Sequence, residues 1–258
     1  MTSNFKQPHT NARSDREALN EGFTVHDSIG FSFGKGESNA ETFADECRAL
    51  DHRSLGYRFA KRAFDIAFST VVIVVSFIPC ILLSIAIAID TMGSPIYTQE
   101  RVGYLGKPFR IYKFRTMVAD ADDVEKHLTP DQLFQWRREH KVDDDPRITS
   151  LGKMLRRTSL DEIPNFLNVL KGDMSVIGPR AVTSEEIEWF GAEAKTVLSV
   201  PAGITGLWQA TQRNNATFAS GNRQRIELEY VYNAGFAMDI RCFISTFGVM
   251  FGKRRSGR

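Results

Sequence analysis

The sequence predicts a helix-dominated α+β fold with a membrane-inserted helix, a small β-hairpin and amphipathic helices at a membrane interface. Three observations support this fold class. Residues 67–89 carry no charge and contain Pro79 in the middle of the run. Two short segments that follow suit β-strands around a glycine-containing turn, and most of the remaining chain has helical periodicity.

Composition narrows the class of protein. Of 258 residues, 42% are hydrophobic and 25% are charged, which excludes a disordered chain and a membrane protein with many spans. The formal net charge of +2 gives no support to binding of nucleic acid. Three scattered cysteines are too few for a disulfide framework or a cysteine-based zinc site, so a reducing compartment fits best.

Changes in composition divide the chain into four segments. Residues 1–51 are polar and mixed, and we predict a flexible extension there, although residues 23–33 alternate weakly and could form a short strand. Residues 52–92 hold a basic flank and the membrane-inserted helix. Residues 93–252 form the globular domain, and residues 253–258 are a basic tail.

The uncharged run is long enough to enter a bilayer deeply. Its 23 residues would extend about 34 Å as a helix, roughly the thickness of a hydrocarbon core. Pro79 removes a backbone donor and is expected to break or kink this helix. Basic residues flank both ends of the run, and an excess of Lys and Arg marks the cytoplasmic side of a membrane. A re-entrant helix, which returns to the face that it entered, is therefore favoured. A helix that spans the bilayer remains an alternative.

The globular domain is predicted to begin with a hairpin of residues 94–103 and 108–115, connected by the turn at residues 104–107. Helices are expected near residues 119–140, with a second start at Pro130, then at residues 148–155 and 162–170. Residues 226–251 are apolar and amphipathic. They could lie on a bilayer or pack in the core.

Residues 143–180 carry carboxylates, arginines, glycines and small hydroxyls in the combination that handles a phosphate. Arginine forks bind phosphoryl oxygens, and glycines let backbone N–H groups approach an anion. Within this stretch, Asp161 and Glu162 are predicted at a helix N-terminus. Asp161 could attack phosphorus as a nucleophile and Glu162 could ligate a metal, whereas a simple capping box from Ser159 to Glu162 is the structural alternative.

Other features are weaker. Lys113 and Arg115 would share one face of a strand, either for an anion or as a solvated edge. The glycine-rich segment 201–209 contains Trp208 and would be either a functional loop or a plain turn. The five histidines lack ligand spacing, so a zinc centre is not expected, and no phosphate-binding loop of the nucleotidase or dinucleotide type occurs.

Taken together, the chain resembles the bacterial sugar transferases, the monotopic polyprenyl-phosphate phosphoglycosyl transferases, and looks most like rhizobial exopolysaccharide-initiating members. The resemblance extends to about residue 252 and leaves out the N-terminal extension. The motifs that carry it are KRAFD at 61–65, QERVG at 99–103, KFRTM at 113–117, DPRIT at 145–149, LRRTSLDEIP at 155–164, NVLKGDMS at 168–175, GPR at 178–180 and PAGITGLWQ at 201–209.

The resemblance implies an enzyme, an undecaprenyl-phosphate sugar phosphotransferase. Such an enzyme moves sugar 1-phosphate from a UDP-sugar to undecaprenyl phosphate and releases UMP, through a covalent phosphosugar-aspartate and with Mg²⁺. It also implies a re-entrant helix, a catalytic domain on the cytoplasmic face of the bacterial inner membrane, and membrane lipid and downstream glycosyltransferases as partners. Galactose or glucose is the expected sugar.

The resemblance assigns roles to eight residues. Asp161 would be the nucleophile and, with Glu162, the metal ligand. The expected substrate-binding residues are Lys113, Arg115, Arg147, Arg156, Arg180 and Glu227. Glu227 stands where relatives commonly have an aspartate, and Ala181 and residues 210–213 also depart from the family pattern. These departures leave the identity of the sugar donor undetermined but do not change the expected reaction.

Two other functions remain as alternatives from the sequence. The chain could be a non-catalytic, membrane-anchored scaffold of a polysaccharide assembly complex, or an anion-binding protein at a basic membrane face. Neither alternative function requires that Asp161 and Glu162 both take part in a reaction.

Overall fold

A computed structural model describes residues 37–139, 142–211 and 220–251. The sequence predictions for residues 1–36 and for the basic tail at 253–258 lie outside these ranges. The described part confirms a helix-dominated fold with a small hairpin and one long apolar helix.

The helices and strands are numbered in chain order. The α-helices are α1 Glu37–Ala49, α2 Leu55–Thr91, α3 Val124–His127, α4 Pro130–Glu139, α5 Ser150–Thr158, α6 Asn165–Lys171, α7 Ser184–Glu188, α8 Ala194–Leu198, α9 Leu207–Thr211, α10 Asn222–Tyr232 and α11 Phe236–Phe251. The strands are β1 Ile96–Val102, β2 Pro108–Phe114, β3 Ser175–Ile177 and β4 Gly203–Thr205. Three single 3₁₀ turns complete the described elements: Tyr104–Gly106, Leu160–Glu162 and Gly191–Glu193.

Helix α1 belongs to the segment that the sequence assigned to a flexible extension. It packs against α8 and the turn Tyr104–Gly106, with Cys47 fully buried. An ion pair between Lys195 and Glu46 connects it to α8. The low overall hydrophobicity of residues 1–51 concealed the two small apolar residues, Ala44 and Cys47, that α1 buries.

Helix α2 is the apolar helix that the sequence predicted. It has 37 residues and begins at Ser54, whose side chain accepts a hydrogen bond from the Tyr57 N–H. It is the one described helix long and apolar enough to cross a membrane, with a mean hydropathy of 2.9 in its most apolar window, and only 6% of that window is buried. Large apolar side chains such as Val75 and Ile78 therefore lie exposed, 74% and 68% respectively.

Pro79 does not interrupt helix α2, since the helix continues from Leu55 to Thr91. The expected break is absent. The hydroxyls of Ser76 and Ser84 donate to the carbonyls of Val72 and Cys80, one turn earlier, on either side of the proline. Hydroxyls bonded in this way, together with the donor missing at Pro79, are features that bend helices.

The two ends of α2 are held by the same globular domain. At its N-terminal end, Lys61 pairs with Asp239 at 2.7 Å, and Arg62 donates to the carbonyls of Val169 and Leu170 at the end of α6. At its C-terminal end, Ile87 is fully buried in a cluster with Phe114 of β2 and Leu155 of α5. Only the middle of α2 is left for a bilayer.

The predicted hairpin is confirmed. Strands β1 and β2 are antiparallel, with Ile96 opposite Phe114 and Val102 opposite Pro108. Leu105 in the connecting turn has a positive φ of 60°. The hairpin lies against α6 and the turn Leu160–Glu162, so it forms one wall of the site described below.

A second sheet was not predicted from the sequence. Strands β3 and β4 pair in parallel, with Ser175 opposite Gly203 and Ile177 opposite Thr205. A Cβ atom at Gly203 would lie 2.1 Å from the Gly178 backbone nitrogen, so no side chain fits here. These glycines therefore allow the segments 178–180 and 203–206 to approach backbone to backbone.

The apolar segment at residues 226–251 is two helices rather than one. Helix α10 ends at Tyr232 and α11 begins at Phe236, with Asn233 and Gly235 between them. Ile226 and Tyr230 of α10 are buried, whereas Ile240 and Ile244 of α11 are 59% and 66% exposed. The core interpretation therefore holds for α10, and an exposed apolar stripe runs along α11.

Candidate active site

Asp161 and Glu162 lie in a tight turn between two helices. Helix α5 ends at Ser159, which takes the left-handed conformation (φ 56°, ψ 20°) and donates its N–H to the carbonyls of Arg156 and Leu155. The 3₁₀ turn Leu160–Glu162 follows, and α6 begins at Asn165 after Pro164.

The alternative of a capping box from Ser159 to Glu162 is wrong. Ser159 makes no side-chain capping bond because its left-handed backbone terminates α5. The chain does contain a capping box at Thr183 and Glu186, where each side chain bonds the other residue's backbone N–H.

A small, open cleft lies beside this turn. Glu162 lines it together with Lys113 of β2, and the Lys113 Nζ lies 3.0 Å from the Glu162 Oε1. The other lining residues come from the hairpin, α6, the two short strands and α9: Arg101, Ile111, Asn165, Met174, Arg180, Ala181, Gly203, Ile204 and Gln209. Asp161, adjacent to Glu162, is partly buried rather than exposed, and its Oδ1 is shielded from solvent.

Arg180 is positioned at the cleft by its backbone as well as its side chain. It follows β3 and bridges to Gly203 beside the glycine contact. Its N–H donates to the Glu227 Oε2 at 3.2 Å, and its guanidinium carbon lies 5.8 Å from the centre of the Trp208 ring. Arg180 is therefore held between α10 and α9 with its cation at the cleft.

Behind the cleft, Glu186 holds two further arginines. Its Oε2 accepts from Arg101 at 2.9 Å, and its Oε1 lies 3.9 Å from Arg223, which also lies 4.2 Å from the Trp208 ring centre. Burial opposes ionisation of Glu186, but Arg180, Arg101 and Arg223 hold its pKa below the usual value. Burial and the nearby Arg180 lower the pKa of Arg101 to about 10 and that of Arg223 to about 9.

Glu227 is 1% exposed and belongs to the same cluster. Burial raises its pKa to about 7, although Arg223 and Arg180 act in the opposite direction. Three desolvated guanidiniums therefore face one ionised carboxylate and a second whose charge is suppressed. The cluster has an excess of positive charge, which a bound anion would neutralise.

The structure separates the predicted substrate-binding residues into two groups. Lys113 and Arg180 line the cleft, and Glu227 contacts Arg180 from behind. Arg115, Arg147 and Arg156 are not among the cleft-lining residues.

The arginines outside the cleft have structural contacts. Arg147 is buried and makes a bidentate pair with Asp145, at 2.9 and 2.6 Å, and a bond to the Ala121 carbonyl. Arg115 donates to the Ser94 carbonyl, and Arg156 donates to the Thr116 hydroxyl. The expectation that Arg147 contacts phosphate does not fit this geometry, because its fork is already bonded to a carboxylate within the DPRIT motif.

Sequence reasoning missed three cleft residues: Arg101, Asn165 and Gln209. Each lies in or directly after a motif that had been noted, namely QERVG, the DEIP turn and the PAGITGLWQ segment. The signal in the sequence that could have found these residues was their position in or next to the motifs. Asn and Gln in particular show no characteristic spacing that marks them as ligand-binding residues.

The site fits a magnesium ion only in combination with a phosphate ligand. No group of three or more metal-ligating side chains occurs within residues 37–139, 142–211 and 220–251. Mg²⁺ does not need one, because it is commonly held by one or two carboxylates together with substrate phosphates and water. Asp161 and Glu162, next to the cationic cleft, supply that donor set.

Comparison with known proteins shows the family of this chain. The bacterial sugar transferase family matches residues 56–253. The exopolysaccharide production protein ExoY of Rhizobium meliloti is 38% identical over 185 residues, which cover 70% of this chain and 80% of ExoY. The undecaprenyl-phosphate galactose phosphotransferase of Salmonella typhimurium is 39% identical over 203 residues, 78% of this chain and 42% of that protein.

A third relative, the UDP-galactose-lipid carrier transferase of Erwinia amylovora, is 36% identical over 196 residues, 75% of this chain and 40% of its own length. The chain thus spans most of ExoY but less than half of the Salmonella and Erwinia proteins. The family match covers the apolar helix, the dyad turn and every cleft-lining residue. The chain therefore belongs to the bacterial sugar transferase family and is a transferase.

Proposed function

We propose that this protein transfers sugar 1-phosphate from a UDP-sugar to undecaprenyl phosphate, with release of UMP, as the first membrane step of exopolysaccharide synthesis. The observation that carries the proposal is Glu162, which lines a cleft together with Lys113, Arg101 and Arg180. Asp161 does not itself line the cleft but directly precedes Glu162 in the same 3₁₀ turn. The names of the Salmonella and Erwinia relatives specify undecaprenyl phosphate and UDP-galactose, which supports the substrates, and the name of ExoY supports the role in exopolysaccharide production.

In the first half-reaction, a carboxylate oxygen of Asp161 attacks the phosphorus that bears the sugar. A bond forms between that oxygen and phosphorus, and the bond from phosphorus to the bridging oxygen of the diphosphate breaks. The bridging oxygen keeps the electron pair and leaves with UMP. The product on the protein is a phosphodiester-like acyl phosphate between Asp161 and the sugar.

In the second half-reaction, a phosphate oxygen of undecaprenyl phosphate attacks the same phosphorus. The bond to Asp161 breaks, and the carboxylate is regenerated. This order means that the two large anions occupy the cleft in turn rather than together.

The cationic side chains would stabilise the negative charge that moves between these groups during the reaction. Arg101 and Arg180 would bind the diphosphate, and Lys113 would lie between Glu162 and the transferred phosphate. Mg²⁺, held by Glu162 and Asp161, would neutralise charge on the leaving phosphate. Glu162, now 3.0 Å from Lys113, would orient these two positive partners.

The sugar is proposed to be galactose or glucose. The names of the Salmonella and Erwinia relatives both specify galactose. The lipid-linked sugar would then be a substrate for downstream glycosyltransferases, which are the expected functional partners.

The same proposal places α2 as a re-entrant helix in the inner membrane, with the catalytic domain on the cytoplasmic face. What supports re-entry is that Lys61 near one end and Ile87 near the other both contact a single globular domain. A folded domain with buried ion pairs cannot lie on both sides of a bilayer. The exposed stripe of α11 would rest at the interface beside it.

The direct test is covalent capture. The purified protein in detergent is mixed with Mg²⁺ and a radiolabelled UDP-sugar, without lipid, and quenched in denaturant. We expect label on the polypeptide and release of one equivalent of UMP, and chase with undecaprenyl phosphate should remove the label. Asp161→Asn should abolish both signals.

Asp173→Asn is the matched control, because Asp173 accepts from Asn168 and is not among the cleft-lining residues. It should keep the label. Release of UMP on lipid addition without any labelled polypeptide, or full activity of Asp161→Asn, would contradict the covalent mechanism. No UMP with any donor would contradict the function itself.

A further inference from the structure

Within the described residues, four buried polar atoms at the cleft have no hydrogen-bond partner. They are the Nε atoms of Arg101 and Arg180, the Oδ1 of Asn165 and the Oε1 of Gln209. Asn165 is only 2% exposed. Buried polar groups in folded proteins are almost always paired, so four such atoms around one cleft indicate a ligand that pairs them.

The four atoms divide by chemistry. Arginine N–H groups are donors and suit the oxygens of a diphosphate, which only accept. Carboxamide oxygens are acceptors and would be repelled by the same phosphate oxygens. They need a ligand group that donates, such as a hydroxyl or an amide N–H. The cleft is therefore built for a ligand with an anionic part and a neutral, hydrogen-bonding part.

A sugar hydroxyl meets this requirement whichever way the carboxamides are oriented. Because a hydroxyl both donates and accepts, it can pair with either end of Asn165 or Gln209.

The position of Asn165 distinguishes the sugar from the nucleobase of a nucleotide sugar. Asn165 is the first residue of α6 and follows Glu162 by three positions, with the dyad turn directly before it. The sugar is bonded to the phosphorus that reacts at this dyad. The base is separated from that phosphorus by a second phosphate and a ribose. A side chain this close to the dyad therefore faces the sugar.

Gln209 lines the cleft from a different element, helix α9. Gly206 leaves the space that its side chain occupies, since a Cβ atom at Gly206 would lie 3.2 Å from the Gln209 Oε1. The same Cβ would lie 2.1 Å from the Gly178 carbonyl oxygen, so glycine at position 206 lets this loop pack directly against the segment that leads to Arg180.

We propose that Asn165 and Gln209 select the donor by hydrogen bonding to hydroxyl groups of its sugar. This inference rests on the proposed function, because it identifies which part of the UDP-sugar these side chains contact. It assigns sugar specificity to a pair of carboxamides and leaves the diphosphate to Arg101 and Arg180.

The test compares sugars and bases separately. UMP or TMP release is measured for wild type, Asn165→Ser, Gln209→Ala and Gln209→Asn with UDP-glucose, UDP-galactose, UDP-N-acetylglucosamine and TDP-glucose. We expect the ratio of kcat/KM between the best and the second-best UDP-sugar to fall at least tenfold in a cleft variant. The ratio between UDP-glucose and TDP-glucose, which share a sugar, should stay within about twofold of wild type.

A deoxy donor strengthens the test. Removing the hydroxyl that Asn165 contacts should lower kcat/KM in wild type and have little further effect in Asn165→Ser, as expected for a double-mutant cycle between contacting groups. Gln135→Ala, a carboxamide of α4 bonded to Asp143, is the matched control and should leave all ratios unchanged.

Three results would overturn the inference. One is an equal loss for every donor, which would indicate a structural role. Another is a change in the kcat/KM ratio between UDP-glucose and TDP-glucose while the kcat/KM ratios between the UDP-sugars stay constant, which would indicate recognition of the base. The third is that the folded conservative variants show the same kcat/KM ratios between UDP-sugars as the wild type. The proposed function fails separately, if wild-type protein releases no nucleotide from any donor.

Discussion

The arginine residues show how far residue type alone predicts a phosphate contact in this protein. Arg147 and Arg180 both lie in the phosphate-like segment 143–180, and both were expected to bind phosphate. Arg147 is bonded to Asp145, two positions earlier, whereas Arg180 lies at the cleft above Glu227. The partner of Arg147 is local, whereas the position of Arg180 depends on Glu227, 47 positions later in the chain. Residue type alone therefore could not separate the two arginines.

Glu227 gives a prediction at this scale. Burial raises the pKa of Glu227 to about 7, well above the usual range of a glutamate. The stabilisation that comes from its protonated form is therefore fully present below about pH 4.5 and is lost as pH rises through about 7. Glu227→Gln keeps the neutral form at every pH. Between pH 5 and 8 the wild type should lose on the order of 3 kcal/mol relative to this variant.

The measurement is the thermal midpoint of both proteins in detergent across pH 5 to 8. The control is Glu229→Gln on the exposed side of the same helix, which should follow the wild type. Parallel midpoint curves for wild type and Glu227→Gln would contradict the assignment. Arg223 and Glu186 also face Glu227. The pKa of Arg223 is about 9 and the pKa of Glu186 lies below its usual value, so neither group should produce the difference.

Among the elements, those with regular periodicity or clear turn residues were predicted well. The hairpin β1–β2, the helix α5 and the apolar helix α2 follow from the sequence because each is long enough to show its pattern. Strands β3 and β4 have three residues each, too few for a period of two to appear. Their pairing depends on Gly178 and Gly203, which the sequence marked only as glycines.

The KRAFD motif has an element-level role that the sequence did not reveal. Asp65 is 3% exposed and accepts from the Ser175 hydroxyl and the Val176 N–H, so it fixes α2 onto β3. Lys61, one turn earlier, pairs with Asp239 of α11. Arg62 faces α6 and bonds the carbonyls at its end, where the helix dipole favours a cation.

Asp65→Ala should loosen this attachment. It leaves the Ser175 hydroxyl and the Val176 N–H without their carboxylate, which typically costs about 1–3 kcal/mol of stability. A lowered thermal midpoint and faster proteolysis of the domain in detergent would show the effect. Asp90→Ala, an exposed carboxylate at the other end of α2, should leave both measurements unchanged.

For the whole molecule, topology is the decisive property. Both ends of α2 contact one domain, and the predicted result is that both ends face the cytoplasm. In a background with Cys47, Cys80 and Cys242 replaced by alanine, Arg58→Cys and Met92→Cys should be labelled by a membrane-impermeant maleimide only in inverted vesicles or lysed cells. Met92 is 85% exposed, so access at that position is not limited by the protein.

Val75→Cys, in the exposed middle of α2, is the comparison, since a site within the bilayer should react from neither side. Labelling of either end residue in intact spheroplasts would establish a spanning helix. The sequence favoured re-entry on flanking charge, on Pro79 and on the family resemblance. The contacts of Lys61 and Ile87 are long-range, and composition could not reveal them.

The pair between Lys61 and Asp239 joins residues 178 positions apart. During synthesis, α2 leaves the ribosome long before its partner carboxylate exists. The apolar helix must settle at the membrane first, with the Lys61 ammonium still in contact with water or lipid headgroups. Only when α11 emerges can that ammonium be enclosed. The order of translation therefore makes the membrane the early scaffold on which the enzyme is assembled, and a nascent chain that stops before residue 239 would remain anchored but unfinished.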